Sequence, residues 1–362
     1  MSYSAINQIY NQYKNTYDEM YAENGTIRKN YRKFSKLLKK LSIEDLNSMS
    51  EFSGDFFMNQ GVTFTVYNDN QGVEKIFPFD IIPRIIDYVE WKKIENGIKQ
   101  RLKALNLFIK DIYHEQFFLK DKMIPAELIV SNPNYLRIMR GLKVPKDIYT
   151  HIAGIDLIRN ESGNFYVLED NLRTPSGVSY MLENREITRR LYPKFIPKNK
   201  VLPINNYPTL LYNQLKSLSD KKKPVIVLLT PGLYNSAYYE HTALARLMGV
   251  ELVEGNDLVS ENNCVFMKTA GGLKIVDIIY RRIDDEFLDP LNFNSASVLG
   301  VAGIMDSYRN GNVIIVNAPG SGIADDKAVY TYVPDMISYY LNEKPILENI
   351  KTFKLSDEDE KE

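Results

Sequence analysis

The sequence has a single cysteine, three histidines and no long apolar segment, and each shortage excludes a class of protein. Because Cys264 stands alone, no internal disulfide can form, which is typical of a reducing compartment. The histidines lie far apart along the chain, so they do not form the ligand pattern of a zinc site. No apolar run reaches the ~18 residues of a membrane span, and the polar N-terminus does not resemble a signal peptide. We therefore expect a cytoplasmic protein without a membrane partner.

The charges are nearly balanced, with 45 basic and 46 acidic residues and a formal net charge of -1. The chain thus lacks the basic excess that a nucleic-acid-binding protein uses to hold phosphates. Five basic residues fall within residues 32–40, but they alternate with apolar positions at helical spacing, which favours a solvated helix face. We expect no nucleic-acid partner, and the sequence does not determine the oligomeric state.

The N-terminal third has mainly helical patterns. With 362 residues, 44% of them hydrophobic, the chain is long enough for two or three globular domains. Apolar residues at helical spacing, first from Ile6 to Tyr17 and again over residues 31–41, predict helices in the first 50 residues. Residues 61–67 are β-branched and aromatic and predict a strand. A helix follows over residues 84–113, for which Asp80 could be the N-cap, while Arg84 could face a ligand or only solvent.

The C-terminal half changes to apolar strands that alternate with helices. Strands are predicted at residues 224–230, 250–253, 276–280 and 313–316, and a helix at 237–248 is closed by Gly249. This alternation predicts βαβ units and a parallel sheet. Such sheets bind ligands at the carboxyl ends of their strands. Here these ends are glycine-rich or cationic, at residues 231–238, 281–285 and 317–327.

Residues 154–177 form the segment around which the functional interpretation is organised. Two short alternating runs flank turn residues 160–164 and predict a β-hairpin. A two-residue or a four-residue loop places Asp156 opposite Glu169, with Cβ atoms roughly 5 Å apart, and Asn171 on the same face. Two facing carboxylates repel each other, and a bound Mg²⁺ would remove the conflict. The alternative is an exposed hairpin with solvated acids, and a three-residue loop would separate the pair.

Other chemistries find less support in the sequence. There is no phosphate-binding GxxxxGK[ST] motif and no GxGxxG after a strand. Gly320-Ser321-Gly322 before a helix is a weak anion-binding pattern. A serine triad built on Ser236 and His241 lacks the expected strand–turn–helix context, and Cys264 falls in a predicted strand, where burial is expected.

Four segments resemble the sequence blocks of one family, the circularly permuted ATP-grasp type 2 family, a relative of glutathionylspermidine synthetase. They are VLEDNLRTPSGVSYMLENR, LTPGLYNSAYYEH, YRRIDDEFLDP and NAPGSGIADDKAVYTYVPDM, at residues 167–185, 229–241, 280–290 and 317–336. In ordinary ATP-grasp ligases the Asp…Glu-x-Asn metal ligands follow the Asp-Lys helix, which here is matched by residues 325–327. In this chain they precede it, which is the order of the permuted family. The resemblance covers nearly all of residues 55–350.

The resemblance implies an α/β fold, circularly permuted and ATP-grasp-like. Its expected parts are a helical region at residues 1–60, the permuted part of the ATP-grasp domain at 61–200, and a parallel α/β pre-ATP-grasp-like domain at 201–345. Residues 346–362 are then a linker or the start of a C-terminal ATP-binding part. Because family members continue there into a strand with a lysine and a glycine-rich loop, we expect this chain to be a fragment. A split enzyme and a degenerate member are the other possibilities.

The resemblance also implies an activity, the ATP-driven joining of a carboxylate to an amine through an acyl-phosphate. ATP and Mg²⁺ would be the cofactors, and small molecules or peptides the substrates. Asp156, Glu169 and Asn171 are the expected Mg²⁺ ligands. The other expected site residues are Arg173 and Arg282 for catalysis, Arg281, Asn317 and Ser321 for substrate binding, and Gly320, Gly322 and Lys327 for nucleotide binding.

Alternatives remain open at this level. Arg281 and Arg282 could equally form salt bridges to Asp284 or Asp285. The whole chain could be a non-catalytic binding or scaffold protein that keeps the fold. A nucleotidyl or phosphoryl transferase could use the same acids, and its product would distinguish it from a ligase.

Overall fold

The computed structural model describes residues 16–68, 71–198 and 201–354, which form a mixed α/β fold as expected. The helix predicted to begin at Ile6 lies mainly outside the described residues, as does the acidic segment 355–362. None of the helices in these ranges is long and apolar enough to cross a membrane.

Helices of four residues or more occur throughout the described ranges, and short 3₁₀ turns join some of them. The helices are α1 (Arg32–Leu38), α2 (Ile43–Gln60), α3 (Tyr88–Tyr113), α4 (Phe117–Lys120), α5 (Ala126–Val130), α6 (Val178–Leu191), α7 (Phe195–Lys198), α8 (Tyr207–Lys216), α9 (Tyr238–Met248), α10 (Asp285–Leu288), α11 (Ile304–Arg309), α12 (Lys327–Tyr330) and α13 (Val333–Leu341). The strands are β1 (Thr63–Asn68), β2 (Gln71–Ile76), β3 (Gly154–Arg159), β4 (Phe165–Asn171), β5 (Ile226–Leu229), β6 (Glu251–Val253), β7 (Leu258–Glu261), β8 (Cys264–Thr269), β9 (Gly272–Ile275), β10 (Ile278–Arg281) and β11 (Ile314–Val316).

The N-terminal helices are held by local signals. Helix α2 begins with a capping box, in which the Ser42 hydroxyl accepts the Asp45 N–H at 3.0 Å and the Asp45 carboxylate accepts the Ser42 N–H at 2.8 Å. It ends at Gly61, whose positive φ of +63° permits the left-handed cap. The basic residues of 32–40 are exposed, which confirms the solvated face predicted for α1. The predicted strand at 61–67 is β1, and its antiparallel partner β2 was not foreseen.

Helix α3 is the longest element and forms one wall of the main core. The prediction of Asp80 as its N-cap was wrong. The Asp87 carboxylate caps it instead and accepts the N–H groups of Val89 and Glu90 at 2.9 Å each. The Asp80 carboxylate closes a local turn with Ile82 N–H at 2.8 Å, so it supports the loop before the helix. Arg84 lies at the surface, 3.3 Å from Glu19.

Strands β3 and β4 form the predicted antiparallel hairpin. Its loop has five residues, since Arg159 pairs with Phe165, and continued in that register Asp156 would face Leu168. A β-bulge at this point shifts the register by one residue and pairs Asp156 with Glu169. The predicted pairing is therefore present, but through a longer loop and a bulge that the sequence did not indicate.

The predicted parallel sheet is also present, in the order β11-β10-β5-β6 with all pairs parallel. Successive side chains of β5 point to opposite faces, as in any strand. Val227 and Leu229 join the main core with α3, whereas Ile226 and Leu228 pack with α8 and α9. A continuous apolar run thus fits a strand covered on both faces. Strands β7, β8 and β9 form a separate antiparallel sheet.

The segment after α13 returns to the hairpin. Val167 N–H donates to the Glu348 carbonyl and Ile350 N–H to the Val167 carbonyl, both at 2.9 Å, so this segment runs parallel to β4. Leu347 packs over Gly97 of α3, where an added Cβ would lie 2.4 Å from the Leu347 Cγ. The hairpin is therefore fixed to α3 by the last part of the described chain.

Candidate functional site

The predicted site residues lie in two regions, which we name the hairpin face and the sheet edge. The hairpin face comprises Asp156, Glu169, Asn171 and Lys327. The sheet edge comprises Arg281, Arg282, Asn317 and Gly320–Gly322, which lie at or just after the carboxyl ends of β10 and β11. Arg173 lies between the two regions.

The hairpin face brings two carboxylates together. Asp156 is directly opposite Glu169, and strand alternation places Asn171 on the same face. Although Asp156 is an exposed residue, partial burial of its carboxyl group raises its pKa, and the neighbouring carboxylates of Glu169 and Asp170 raise it further. Glu169 is half-buried. The folded chain therefore holds negative charge here at an electrostatic cost.

Lys327 supplies a cation to this face. Its Nζ lies 3.1 Å from Oε2 of Glu169, while its side chain is 76% exposed. Helix α12 places it there, because the Asp326 carboxylate caps that helix and Tyr330 at its end donates a 2.5 Å hydrogen bond to the Val167 carbonyl of β4. Lys327 also lowers the pKa of Asp156, but burial and the neighbouring carboxylates prevail. The lysine thus offsets only part of the negative charge.

The opposite face of β4 fixes the hairpin through Arg101, a residue that the sequence analysis did not single out. Asp170 forms two hydrogen bonds with Arg101 of α3, at 2.7 and 2.5 Å, and both side chains are buried. Arg101 also donates to Asn349 at 2.7 Å. An arginine in the middle of an amphipathic helix pattern was the one available signal. This buried bidentate pair defines which face of β4 presents Glu169 to solvent.

Arg173 follows the hairpin and is partly exposed. Its Nε lies 3.3 Å from Oδ1 of Asp284 and 3.9 Å from Oδ2 of Asp325. That Nε is inaccessible to solvent and makes no hydrogen bond of good geometry to a described residue. Gly322 allows this position, because an added Cβ would lie 3.0 Å from the Arg173 Cδ. The guanidinium therefore lies between two carboxylates without a complete hydrogen-bond set.

Asp325 holds the turn that carries Arg173. Its Oδ1 accepts the Leu172 N–H at 2.6 Å. Burial raises the pKa of Asp325 to about 7, although the bond from Leu172 and the charge of Arg173 both oppose the shift. A carboxyl group with a pKa raised to about 7 therefore contacts the turn after the hairpin.

The arginines of the sheet edge are fully buried. Arg281 donates to the carbonyls of Asn317, Ile283 and Ala318 at 2.8 to 3.2 Å, and its Nη1 lies 2.8 Å from Asp285. The salt bridge considered as an alternative is thus present. The substrate-binding role of Arg281 stays a prediction.

Arg282 joins three segments of the chain. It lies 3.0 Å from the buried carboxylate of Glu240 in α9, and it donates to the Pro175 carbonyl and, at 3.1 Å, to the Ser176 hydroxyl. Glu240 in turn accepts the N–H groups of Gly177 and Ser179 at 2.8 and 3.0 Å. This ion pair therefore attaches the loop after the hairpin to the parallel sheet, and catalysis by Arg282 stays a prediction.

Asn317 connects the same loop to the end of β11. Its Oδ1 accepts the N–H groups of His151 and Ile152 at 2.9 and 3.0 Å, and its Nδ2 donates to the carbonyls of Ile152 and Leu172 at 2.6 and 2.7 Å. Only 1% of Asn317 is exposed. Its amide therefore holds both ends of the hairpin against the sheet.

The glycine-rich turn at residues 320–322 is buried as well. Gly320 N–H donates to Asp285 at 3.2 Å, and an added Cβ at Gly320, which has φ +79°, would lie 2.4 Å from the Tyr113 hydroxyl. The Ser321 hydroxyl donates to the Leu172 carbonyl at 3.3 Å. The contacts reported for these residues are with protein groups, and their nucleotide and substrate roles stay predictions.

No group of three or more His, Cys, Asp and Glu side chains with metal-binding geometry occurs among the described residues. The predicted Mg²⁺ set of two acids and one amide falls below that number. The Mg²⁺-binding role of Asp156, Glu169 and Asn171 therefore stays a prediction.

The fold defines the class of protein. A glutathione synthetase-like effector from Globodera pallida, solved in the apo form, has a similar structure, with a TM-score of 0.57 and 14% sequence identity. The match covers 83% of this chain and 69% of the effector chain. At such low identity the similarity concerns the fold alone, which is ATP-grasp-like. The sequence defines the family: the family model with the description "Circularly permuted ATP-grasp type 2" matches residues 83–362. The chain belongs to this family, which confirms the resemblance of the four sequence blocks.

Sequence relatives are longer than this chain. An uncharacterized protein from Synechocystis is 48% identical over 94% of this chain and 71% of its own length. One from Mycobacterium tuberculosis is 46% identical over 97% of this chain and 63% of its own. A Frankia alni protein with the name "Putative glutamate--cysteine ligase 2-3" is 36% identical over 94% of this chain. The chain spans 40% of that last relative.

Proposed function

We propose that the protein is an ATP-dependent ligase that joins a carboxylate to an amine through an acyl-phosphate, and that this chain supplies the Mg²⁺ ligands. The observation that carries the proposal is the facing pair of Asp156 and Glu169 on a half-exposed hairpin, with Lys327 3.1 Å from Glu169. Family membership supports a ligase that uses ATP. The single cysteine favours a cytoplasmic location.

The hairpin face fits a divalent cation. Two repelling carboxylates and an amide oxygen are hard oxygen ligands, and partial burial, together with the carboxylates of Glu169 and Asp170, raises the pKa of Asp156. Asp156, Glu169 and Asn171 would hold Mg²⁺, and the bound ion would neutralise the negative charge of the phosphates. Lys327 lies next to Glu169 and would contact the same phosphates as a point charge.

Arg173 would hold the negatively charged reacting group. Its guanidinium is partly exposed and has incomplete hydrogen bonds, so a phosphoryl or carboxylate group could take the place of Asp284 beside it. In phosphoryl transfer most of the catalysis comes from positioning and charge stabilisation. We assign positioning roles to Arg282 and Asn317, because they hold the loop that carries Arg173.

The name of the Frankia relative supports a ligase but does not identify the substrates. This chain spans 40% of that protein, so glutamate and cysteine can belong to its other part. The carboxylate and the amine are therefore left undefined by this proposal.

The proposal is tested in the full-length protein with Mg-ATP and a library of amines and peptides, with ADP and the amide product measured by mass spectrometry. Glu169→Ala is expected to reduce ligation on the order of 100-fold or more, because a preorganised charge at the phosphates is lost. Glu161→Ala, in the exposed hairpin loop, is the matched control and should retain activity.

A second readout does not depend on turnover. Mg²⁺ should raise the melting temperature of the native protein and of Glu161→Ala but not that of Glu169→Ala. Unchanged ligation in Glu169→Ala would remove this residue from the metal set. ADP without an amide would indicate a transferase or hydrolase, and no nucleotide consumption with any substrate would indicate a binding protein.

A further inference from the structure

The loop end of the β3–β4 hairpin contacts a segment near the start of the described chain. Arg159 ends β3 and pairs with Phe165 of β4 as the last pair of the ladder before the loop. The Arg159 guanidinium lies 4.2 Å from the centre of the Phe165 ring and 4.7 Å from that of the Tyr17 ring. The Arg28 guanidinium lies 4.0 Å from the same Tyr17 ring. We name these four side chains, Arg28, Tyr17, Arg159 and Phe165, the tip stack.

Tyr17 also fits closely against the hairpin loop. The loop is closed by two hydrogen bonds, from Asn160 N–H to the Asn164 carbonyl at 3.0 Å and from Gly163 N–H to the Asn160 carbonyl at 2.9 Å. An added Cβ at Gly163, which has φ +85°, would lie 2.5 Å from the Tyr17 Cε2. The loop backbone therefore approaches the ring more closely than any residue other than glycine would allow.

Two carboxylates hold the central arginine of the tip stack. The Arg159 side chain is 5% exposed, and its Nη1 and Nη2 lie 3.4 Å from Glu19 and 3.0 Å from Glu90. Glu19 belongs to the same N-terminal segment as Tyr17, and Glu90 belongs to the first turn of α3. Contacts between a cation and an aromatic ring are stronger when the cation is removed from water. The loop end of β3 is therefore attached both to the N-terminal segment and to α3.

The β-bulge lies between this end of the hairpin and the hairpin face. On the loop side Leu157 faces Val167, whereas on the other side Asp156 faces Glu169. Leu168 is therefore left without a partner in β3. A bulge of this kind disrupts the ladder locally and increases the twist of the strands, so it influences where the neighbouring side chains point.

The extra residue is needed for the packing of β4. Val167 and Asp170 are both buried, although they are three residues apart. In a regular strand they would point to opposite faces. The bulge at Leu168 brings both to the inner face and leaves Glu169 half-buried. The orientation of the hairpin face therefore depends on this bulge.

The two strands are held differently on the loop side of the bulge. In β4, Val167 bonds on its outer edge to the parallel segment after α13. In β3, the charge pairs and ring contacts of this part are those of Arg159 in the tip stack. Without them, β3 could shift by one residue and bring Leu157 opposite Leu168, which would remove the bulge. The backbone next to Asp156 would then change its twist, and the direction of its carboxylate would no longer be fixed.

We propose that Tyr17 and Arg159 are positioning residues of the metal-binding hairpin, because the tip stack fixes β3 across the bulge and thereby the direction in which Asp156 faces Glu169. The inference rests on the proposed function and deepens it. It assigns a role in Mg²⁺ binding to a segment that precedes the family match at residue 83. Both residues act through Asp156 and not by contact with the ion.

The test is a calorimetric titration of the full-length protein with MgCl₂ as the only added ligand. Tyr17→Leu removes a ring of the tip stack, and Mg²⁺ should then bind about three- to thirtyfold more weakly. Tyr17→Phe keeps the ring and should bind Mg²⁺ as the native protein does. Phe117→Leu is the matched control, because it removes an exposed ring that lies 5.4 Å from Lys120, and it should also bind normally.

Hydrogen exchange without Mg²⁺ separates positioning from a general loss of stability. In Tyr17→Leu the amides of residues 157–167 should exchange about tenfold faster, because this end of the hairpin opens more easily. The amides of β5 should exchange at the native rate. Gly163→Ala is a second variant, since its added methyl group displaces the Tyr17 ring, and it should produce the same two changes in Mg²⁺ affinity and in exchange.

The outcomes distinguish this inference from the proposed function. Native Mg²⁺ affinity in Tyr17→Leu, or an equal loss of affinity in Tyr17→Phe, would overturn the positioning role. Faster exchange throughout the protein would also overturn it, because the effect would then be global destabilisation. If the native protein bound no Mg²⁺, the proposed metal set would fail, whereas faster exchange confined to the hairpin in Tyr17→Leu would still support the attachment of β3 by the tip stack.

Discussion

The hairpin face and the sheet edge both carry polar residues, but the two regions differ in how far these residues are buried and how they are paired. At the sheet edge, Arg281, Arg282 and Asn317 are at most 2% exposed, and each is held by several hydrogen bonds. At the hairpin face, Asp156 and Glu169 face each other as like charges, and Lys327 approaches only one of them closely. Most polar groups of the sheet edge have internal partners, although the buried Nε of Arg282 has none among the described residues, whereas the hairpin face has only Lys327 as a partial counter-charge.

This difference indicates which groups can take a ligand without first losing protein contacts. A buried charge must be paired, because desolvation without a partner is costly, and such a pair is then committed to the fold. Partly exposed like charges gain from a cation that arrives from solvent. The sheet edge therefore positions the loop at Arg173, and the hairpin face is the better candidate for direct contact with ligands.

Removing one member of the buried pair at the sheet edge should have the largest effect on stability. Arg282→Met leaves the carboxylate of Glu240 buried and unpaired, and we expect a loss of ~3–5 kcal/mol in the free energy of unfolding. Urea titration measures it. Arg189→Met, whose pair with Glu186 is exposed, should lose at most ~1 kcal/mol.

A double variant keeps this comparison informative. Arg282→Met with Glu240→Gln removes both charges, so part of the lost stability should return. A loss below ~1 kcal/mol in the single variant would show that the pair of Arg282 and Glu240 contributes no more to the free energy of unfolding than an exposed ion pair does.

The carboxyl group of Asp325, which contacts the turn that carries Arg173, should make stability depend on pH. The folded pKa of Asp325, about 7, lies above the unfolded value, so the folded state binds this proton more tightly. Its contribution is complete below about pH 4 and is lost as the pH rises to 7, by at most ~4 kcal/mol for three pKa units. Asp325→Asn should remove this slope from urea titrations between pH 4 and 8. The exposed control Asp306→Asn should keep it, and an identical slope in both variants would contradict the assignment.

The smallest effect is expected at the hairpin face. Asp156→Asn removes a facing like charge, so without Mg²⁺ it should stabilise the protein by ~0.2–1 kcal/mol, and less at high salt. With Mg²⁺ the sign should reverse, because the native site then gains binding energy. Thermal unfolding with and without Mg²⁺ measures both, and Glu161→Gln is the control. A destabilised Asp156→Asn variant in metal-free buffer would show that the two carboxylates do not repel.

Much of the fold was predictable because its signals are local. The four parallel strands were found from their apolar runs, and α9 was found from its periodicity and from Gly249 at its end. The N-cap of α3 was missed because Asp80 and Asp87 look equivalent in sequence, and only the local turn at Ile82 distinguishes them. The pairing of Asp156 with Glu169 was found, although it depends on a bulge without a sequence signature.

The sequence by itself determined the family, the residue types that can bind a cation and much of the secondary structure, including the parallel strands and α9. The tertiary structure alone decided which polar residues are buried, since Asp170 meets Arg101 and Arg282 meets Glu240 across 69 and 42 residues. The physical reason is that burial and charge pairing depend on elements distant in the chain. Helical and strand periodicity, by contrast, are properties of neighbouring residues.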